Sequence, residues 1–338
     1  MMEKRRYKEI DILRGMAILM VLLYHSILVF PVNLHEIQWC STLHTFLWTV
    51  QMPLFFLVSG ICYSYHGDYK AYALSKCRRI LIPHIAFSLL DILPRLIPNP
   101  LVNEQMDWKE ALTDFVFYGG SDWFLWTLFV ITMAFPLLAK LEQQKKGRAW
   151  LLLVGAGFYF IKPYMTDFLL FNMISQYLLY FIFGFLLQKK IDILSVQLEK
   201  KWLLPISVTG MILAFAGFLA WDGNRDAELV CVLCSFVFFG ALSVHIGKAE
   251  SQGNIGNSGK VGDFLSLCGK WSLQMYLLDA YALVLTRTIL ASVLGIQNPV
   301  LLILGNFIPD TLIVLGITLL ILTKVKVFRF VCGIPEKG

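Results

Sequence analysis

Charged side chains are scarce in this sequence. Asp, Glu, Lys and Arg together make up 15% of its 338 residues, whereas a typical soluble domain contains about 25%. Hydrophobic residues account for 57% of the chain, and the mean hydropathy is +0.67. A chain with so little polar surface would not stay dispersed in water. The composition therefore excludes an ordinary soluble protein and predicts an integral membrane protein.

A disulfide framework is also missing. The seven cysteines are scattered, and most of them lie in apolar segments or predicted cytoplasmic segments: Cys40, Cys62, Cys77, Cys231, Cys234, Cys268 and Cys332. Cys231 and Cys234 form one C-x-x-C spacing, but they lie in an apolar run with no second pair. We interpret them as small helix-packing residues and predict no metal site.

Long apolar runs are what the sequence does contain. A helix that crosses the hydrocarbon core of a bilayer needs about 20 mostly apolar residues. We therefore predict an all-α fold, a bundle of about ten transmembrane helices. The candidate spans are residues 11–30, 44–65, 80–97, 122–140, 149–164, 172–188, 202–221, 228–246, 264–290 and 299–323. Residues 1–330 are expected to form one membrane domain, and 331–338 a short cytoplasmic tail.

The basic residues predict the orientation of the bundle. Cytoplasmic loops of membrane proteins carry an excess of Lys and Arg. With the N-terminus inside, 23 of the 29 basic residues, including Lys4, Arg5 and Arg6, fall on cytoplasmic segments, and Arg14 lies within a span. The outer segments hold Arg95, Lys109, Lys162, Arg225 and Arg287. Both termini are therefore predicted to be cytoplasmic, in a bacterial inner or plasma membrane. Membrane topology explains the net charge of +6, and no nucleic-acid partner is expected.

Two loops have distinct compositions. The outer loop at about 98–121 is acidic, and Asp107 followed by Glu110 is typical of a helix N-cap, which predicts a short amphipathic surface helix. The segment 249–263 is rich in Gly, Ser and Asn and predicts a flexible cytoplasmic linker.

The first span carries charges that are costly in a bilayer. Asp11, Arg14 and His25 lie on one face of a helix, because residues three and eleven apart return to nearly the same direction. Arg14 and His25 are separated by about 16 Å along the axis. One interpretation is a polar channel with His25 as a proton relay or general base. The alternative is that Arg14 reaches the headgroups and pairs with Asp11, while His25 caps the outer end.

Other polar positions have two interpretations each. Gln51 precedes Met52-Pro53, and Ser59 follows, so this part of the second span either lines a cavity or packs around a proline kink. Trp123, at the start of the fourth span, is either part of an interfacial aromatic belt or a platform for stacking a sugar.

The basic run before residue 80 and a few isolated groups complete the polar inventory. Lys76, Arg78 and Arg79 are a topology signal that could also bind phosphates. Asp91 and Asp279 are isolated acids that need partners. No role is assigned to His35, His44, His66, His84 or His245.

Six segments, in order, resemble the motifs of the acyltransferase-3 family of membrane acyltransferases. The first runs from Ile10 to Tyr24-His25 and contains an Arg, ten residues and a His. The others are Met52-Pro53-Leu-Phe-Phe-Leu-Val-Ser59-Gly60, Arg78-Arg79-Ile-Leu-Ile-Pro83, Trp123-Phe-Leu-Trp-Thr-Leu-Phe129, Tyr180-Phe-Ile-Phe-Gly184 and Gly269-Lys270-Trp-Ser272-Leu-Gln-Met-Tyr276. Many members carry a His after the last motif, where this chain has Asp279.

The resemblance implies an enzyme that moves an acyl group, commonly acetyl, from cytoplasmic acyl-CoA to a hydroxyl of a cell-surface glycan or lipid-linked sugar. Arg78, Arg79 and Lys76 would then bind the CoA phosphates. Arg14 would position the donor, and His25 would act as general base or carry the acyl group briefly. Acetyl-CoA would be a substrate, with no permanently bound cofactor and no metal, and the other partners would be membrane lipids. Oligomeric state is open.

Two alternatives come from other classes of protein. A transporter or flippase for a sugar or lipid-linked glycan usually shows paired repeats with broken helices, and the sequence shows kinked spans without such pairing. A structural or signalling membrane protein would leave the spacing of Arg14 and His25 unexplained.

Overall fold

The computed structural model describes residues 7–96, 105–120, 122–251 and 257–335, and these residues contain helices and no strand. The α-helices, in chain order, are α1 (Lys8–Ser26), α2 (Gln38–Ile61), α3 (Tyr69–Lys76), α4 (Ile82–Arg95), α5 (Trp108–Phe117), α6 (Trp123–Ala139), α7 (Gly147–Ile161), α8 (Phe171–Gln188), α9 (Ile191–Leu198), α10 (Leu203–Ala220), α11 (Arg225–Ser251), α12 (Asn257–Lys270), α13 (Ser272–Arg287), α14 (Pro299–Ile317) and α15 (Lys326–Val331). Three segments have π-helical geometry: Cys77–Leu81, Thr288–Val293 and Thr318–Leu322.

Seven helices among the described residues are long and apolar enough to cross a membrane: Gln38–Ile61, Trp123–Gln143, Phe168–Gln188, Leu203–Ala220, Arg225–Lys248, Ser272–Val293 and Pro299–Leu322. They confirm an all-α, multi-pass architecture. The count of ten spans and the cytoplasmic location of both termini stay predictions.

The other three predicted spans coincide with helices that are shorter or more polar. The helix α1 has 19 residues, and its first two turns contain Glu9, Asp11 and Arg14. The helix α7 has 15 residues, which at 1.5 Å per residue reach about 22 Å, less than the thickness of a hydrocarbon core. The 14 residues of α4 follow a π-helical turn that separates them from α3.

The chain divides into two compact units. The first contains the described residues up to Val58 together with Leu187–Leu315. In this unit α1 packs against α11, α12 and α13, and α10 and α9 both pack against α11. Ion pairs also connect helices of this unit. Lys8 of α1 pairs with Asp263 of α12 at 2.7 Å, and Lys248 of α11 pairs with Glu199, which follows α9.

The second unit contains Ser59–Leu186 and the described residues from Gly316 onward. Its core is aromatic: the ring of Tyr63 lies edge-on to Phe135 and Phe185, and Phe135 lies against Phe181. The segment Cys77–Leu81 packs against α6, and α15 packs against α4. Because ordering each backbone segment costs entropy, this dense packing is what holds short helices such as α3 in place.

The two loop predictions had different outcomes. Asp107 is the N-cap of α5, and Glu110 completes a capping box with it, as predicted. The flexible linker at 249–263 is wrong for the described residues, because α11 continues to Ser251 and α12 begins at Asn257. Packing of α12 on α1 overrides the low helix propensity of its glycines.

Some predictions fall on residues beyond those described. The predictions that lie outside the described ranges concern the basic residues Lys4, Arg5 and Arg6, the end of the third span (97), part of the outer loop (98–104 and 121), part of the linker (252–256) and the last residues of the tail (336–338). The single domain over 1–330 stays a prediction.

Candidate active site

Two helix crossings hold α1 in a fixed position. A Cβ built on Gly15 would lie 1.9 Å from the backbone oxygen of Leu265, and one built on Gly269 would lie 1.8 Å from that of Asp11. The backbones of α1 and α12 are therefore in direct contact at two points. The two glycines allow the backbones of α1 and α12 to approach more closely than any other residue would permit. This contact fixes the position of α1 and of the polar residues on it.

The three polar residues predicted on α1 have different environments. Asp11 is buried, with 8% of its surface exposed, and Arg14 is half-buried. His25, near the outer end of the helix, has 38% of its side chain exposed. All three lie on α1, as the sequence predicted. Their roles stay predictions.

His25 forms a hydrogen bond with Asp279 of α13. The contact joins Nδ1 of the imidazole to Oδ2 of the carboxylate. Because an ionised carboxylate can only accept, Nδ1 is the donor, and the lone pair of the neutral ring lies on Nε2. This is the arrangement in which an imidazole can take a proton from another group. The isolated acid at 279 therefore has a partner, one that sequence reasoning did not identify.

A second acid lies behind the first. Asp310 of α14 is fully buried, and its carboxyl group lies close enough to that of Asp279 for the two to interact electrostatically. Sequence reasoning missed Asp310 altogether. The signal that could have found it is an acid directly after Ile308-Pro309 in a strongly apolar span, because such residues in membranes are usually functional.

Aromatic rings flank His25 on the side of α2. The ring of Tyr24 stacks on His44 with centroids 4.1 Å apart and on Trp48 at 5.6 Å, and it lies edge-on to His25 at 5.2 Å. His35 adds a further ring 4.1 Å from His44. His35 and His44, two of the histidines to which no role was assigned from the sequence, thus lie close to the C-terminal end of α1, where His25 is.

Of the predicted pocket residues, only Gln51 belongs to the first unit. Gln51 is buried, and its Oε1 has no hydrogen-bond partner among the described residues. The helix α2 continues through Pro53 without ending. Ser59 and Trp123 belong to the second unit. The ring of Trp123 stacks on Tyr177 at 5.5 Å, so one of its faces is already covered.

The three predicted phosphate-binding residues come together around one turn in the second unit. Lys76 ends α3, and Arg78 and Arg79 lie in the π-helical segment Cys77–Leu81. Such π-helical turns occur frequently at functional sites. Arg79 is exposed, so its guanidinium is accessible to an anionic ligand.

The other two basic side chains of this turn, those of Lys76 and Arg78, each lie over an aromatic ring. The Lys76 ammonium lies over the ring of Tyr72 at 5.2 Å, and the Arg78 guanidinium lies over Phe330 of α15 at 5.4 Å. Burial raises the pKa of the Tyr72 hydroxyl well above its ordinary value. The ring beneath Lys76 therefore remains a neutral phenol, and the contact is a cation–π interaction.

A family model described as an acyltransferase domain matches residues 7–323. No curated protein and no solved structure matches the chain significantly.

Proposed function

The chain belongs to the acyltransferase-3 family, and we propose that it is a membrane O-acyltransferase of a bacterial inner or plasma membrane. It would move an acyl group, commonly acetyl, from cytoplasmic acyl-CoA to a hydroxyl of a cell-surface glycan or lipid-linked sugar. The observation that carries the proposal is the pairing of His25 with Asp279 on a helix that matches the family's first motif. An imidazole oriented by a carboxylate is suited to activating a hydroxyl group.

His25 serves as general base in this reaction. Its Nε2 takes the proton of the acceptor hydroxyl while the hydroxyl oxygen attacks the thioester carbonyl carbon. The C–S bond then breaks, and the CoA thiolate leaves with the proton that His25 held. The products are an O-acyl ester and free CoA thiol. Asp279 stabilises the imidazolium that forms between the two proton transfers.

Basic residues bind the acyl-CoA donor. The guanidinium of Arg79 is exposed, and Lys76 and Arg78 flank it on the same turn. Guanidinium groups match phosphate oxygens in geometry and charge, so this turn binds the phosphates of CoA. Arg14 of α1 helps to position the donor.

The acceptor is a hydroxyl-bearing sugar, and Gln51 of the first unit and Ser59 and Trp123 of the second unit stay predicted acceptor contacts, each considered within its own unit. The support for this assignment differs among them. Gln51 is buried with an unsatisfied Oε1, which fits a hydrogen bond from a substrate hydroxyl. The ring of Trp123 stacks on Tyr177 at 5.5 Å, so the face that meets Tyr177 is not available to a sugar.

The test is acyl transfer by the purified protein in lipid nanodiscs, with acetyl-CoA labelled in the acetyl group and a mixed pool of envelope glycans. Wild type should release CoA and place the label in a base-labile ester. Folded His25→Ala should do neither. His66→Ala is the matched control, because His66 is exposed and bonds only locally to Ser64. Wild type that neither consumes nor binds acetyl-CoA with any acceptor would overturn the proposal.

A further inference from the structure

The acid pair behind His25 is deeply buried. Asp279 has 1% of its surface exposed, and Asp310 has none. Oδ1 of Asp279 and both carboxyl oxygens of Asp310 have no hydrogen-bond donor among the described residues. The two carboxyl groups lie close enough to interact electrostatically.

A shared proton resolves this arrangement. Ionised carboxylates only accept hydrogen bonds, so two of them in contact would present acceptor to acceptor. They would also place two like charges together in a deeply buried site, which is strongly unfavourable. One proton between them supplies the missing donor and removes one of the charges.

The position of the proton follows from the other contact of Asp279. Oδ2 of Asp279 accepts from Nδ1 of His25, and this interaction is strongest when Asp279 is ionised. Asp310 has no such partner, since its oxygens have no donor among the described residues. The proton therefore belongs on Asp310, which donates to Asp279.

We propose that Asp310 is a positioning residue, a neutral carboxylic acid that donates a hydrogen bond to Asp279 and so holds the Asp279 carboxylate against His25. Its consequence for turnover rests on the proposed acyltransferase function. The shared proton itself does not. The pair carries a single negative charge, which balances the imidazolium formed during the reaction.

Infrared spectroscopy of the protein in nanodiscs tests the shared proton without any substrate. A protonated buried carboxyl group gives a C=O stretching band that an ionised one lacks. Wild type should show this band, Asp279→Asn should retain it, and Asp310→Asn should lose it. Thr311→Val is the control, because the Thr311 hydroxyl bonds only to its own helix at Phe307, and it should retain the band.

Two results would overturn the shared proton. They are the absence of the band from wild type and its persistence in Asp310→Asn. If Asp310→Asn does not fold, Asp310→Glu takes its place. Moving the carboxyl group by one methylene should shift the band, and an unchanged band would assign it to another residue.

Kinetics test the positioning role. Asp310→Asn keeps a donor toward Asp279 and, because Asp310 is neutral, leaves the charge of the site unchanged. Its turnover number should stay within about threefold of wild type. Asp310→Leu removes the donor and should lower the turnover number about 10- to 100-fold, the usual effect of losing a group that orients a site residue. The KM for acyl-CoA should not change in either variant.

The pH profile separates this role from a purely structural one. The titratable groups that face His25 are Tyr24, His35, His44 and Asp279, with Asp310 behind. A neutral Asp310 predicts that the acid limb of kcat/KM is the same in Asp310→Asn and wild type. A doubly ionised pair predicts that the acid limb moves to lower pH, by about one pH unit. That movement, or normal turnover by folded Asp310→Leu, would refute the positioning role. Absence of turnover in wild type would instead refute the acyltransferase proposal and leave the infrared result standing.

Discussion

Replacing Gly269 with alanine should disrupt the crossing of α1 and α12. The new Cβ would lie 1.8 Å from the backbone oxygen of Asp11 and 2.8 Å from its carbonyl carbon. Real Cβ contacts are essentially never below 3.0 Å, so the helices must separate by at least about 1.2 Å. Overpacking costs about 1–3 kcal/mol, and an obstacle that is main chain favours the upper end of that range.

Thermal unfolding in nanodiscs measures this cost. A loss of about 3 kcal/mol should lower the apparent melting temperature by about 5 to 10 °C. Gly157→Ala is the matched control, because Gly157 lies in α7 with no atom within 4 Å of its added Cβ. Alanine has the higher helix propensity, so this control should melt at or slightly above the wild-type temperature. If Gly269→Ala has the same melting temperature as Gly157→Ala, the direct backbone contact between Gly269 and Asp11 does not exist.

The same variant should also slow turnover. His25 lies on α1 and its partner Asp279 on α13, so moving α1 by about 1 Å separates the two side chains. Misplacement of this size can cost about 100-fold in rate. The comparison is the turnover number per folded molecule below the melting transition. Wild-type turnover by a destabilised Gly269→Ala would show that the position of α1 does not control the chemistry.

Three further predictions concern other residues. Asp279→Asn removes a charge-assisted hydrogen bond worth about 1.5–3 kcal/mol and should lower the turnover number about 10- to 150-fold. Asp263→Asn, which removes the charge that pairs with Lys8, should not lower it, and equal turnover of the two variants would count against a role for the pairing of His25 with Asp279. Arg79→Ala should raise the KM for acyl-CoA more than it lowers kcat, because a phosphate contact is made equally in ground and transition states. An unchanged KM would remove Arg79 from the donor site. Asp222→Cys should react with a membrane-impermeant maleimide in intact cells, whereas wild type, with exposed Cys62 on the predicted inner side, should react only after permeabilisation. The reverse pattern would invert the predicted topology.

Local patterns predicted much of this fold. The apolar runs identified the membrane helices because the length of a span is dictated by the bilayer. The capping box at Asp107 and Glu110 was visible because its hydrogen bonds join residues three apart. The polar face of α1 followed from helical periodicity alone.

Interactions between distant segments could not be predicted in the same way. His25 and Asp279 are 254 positions apart, and no periodicity links them. Asp310 was overlooked for the same reason, since one acid in an apolar run has no local partner that would draw attention to it. The flexible linker was wrongly predicted at 249–251 and 257–263, the part of it that the structure describes. Composition indicates intrinsic helix propensity, whereas the close fit of α12 against α1 favours the helix.

The most direct test of the central claim is chemical rescue of His25→Ala by imidazole in the acetyl-transfer assay. The account predicts that the variant is inactive alone and that added imidazole restores ester formation in proportion to its concentration, because free imidazole can replace the missing base. Imidazole should not increase the activity of wild type. Full ester formation by His25→Ala without imidazole would contradict the account and place the base elsewhere.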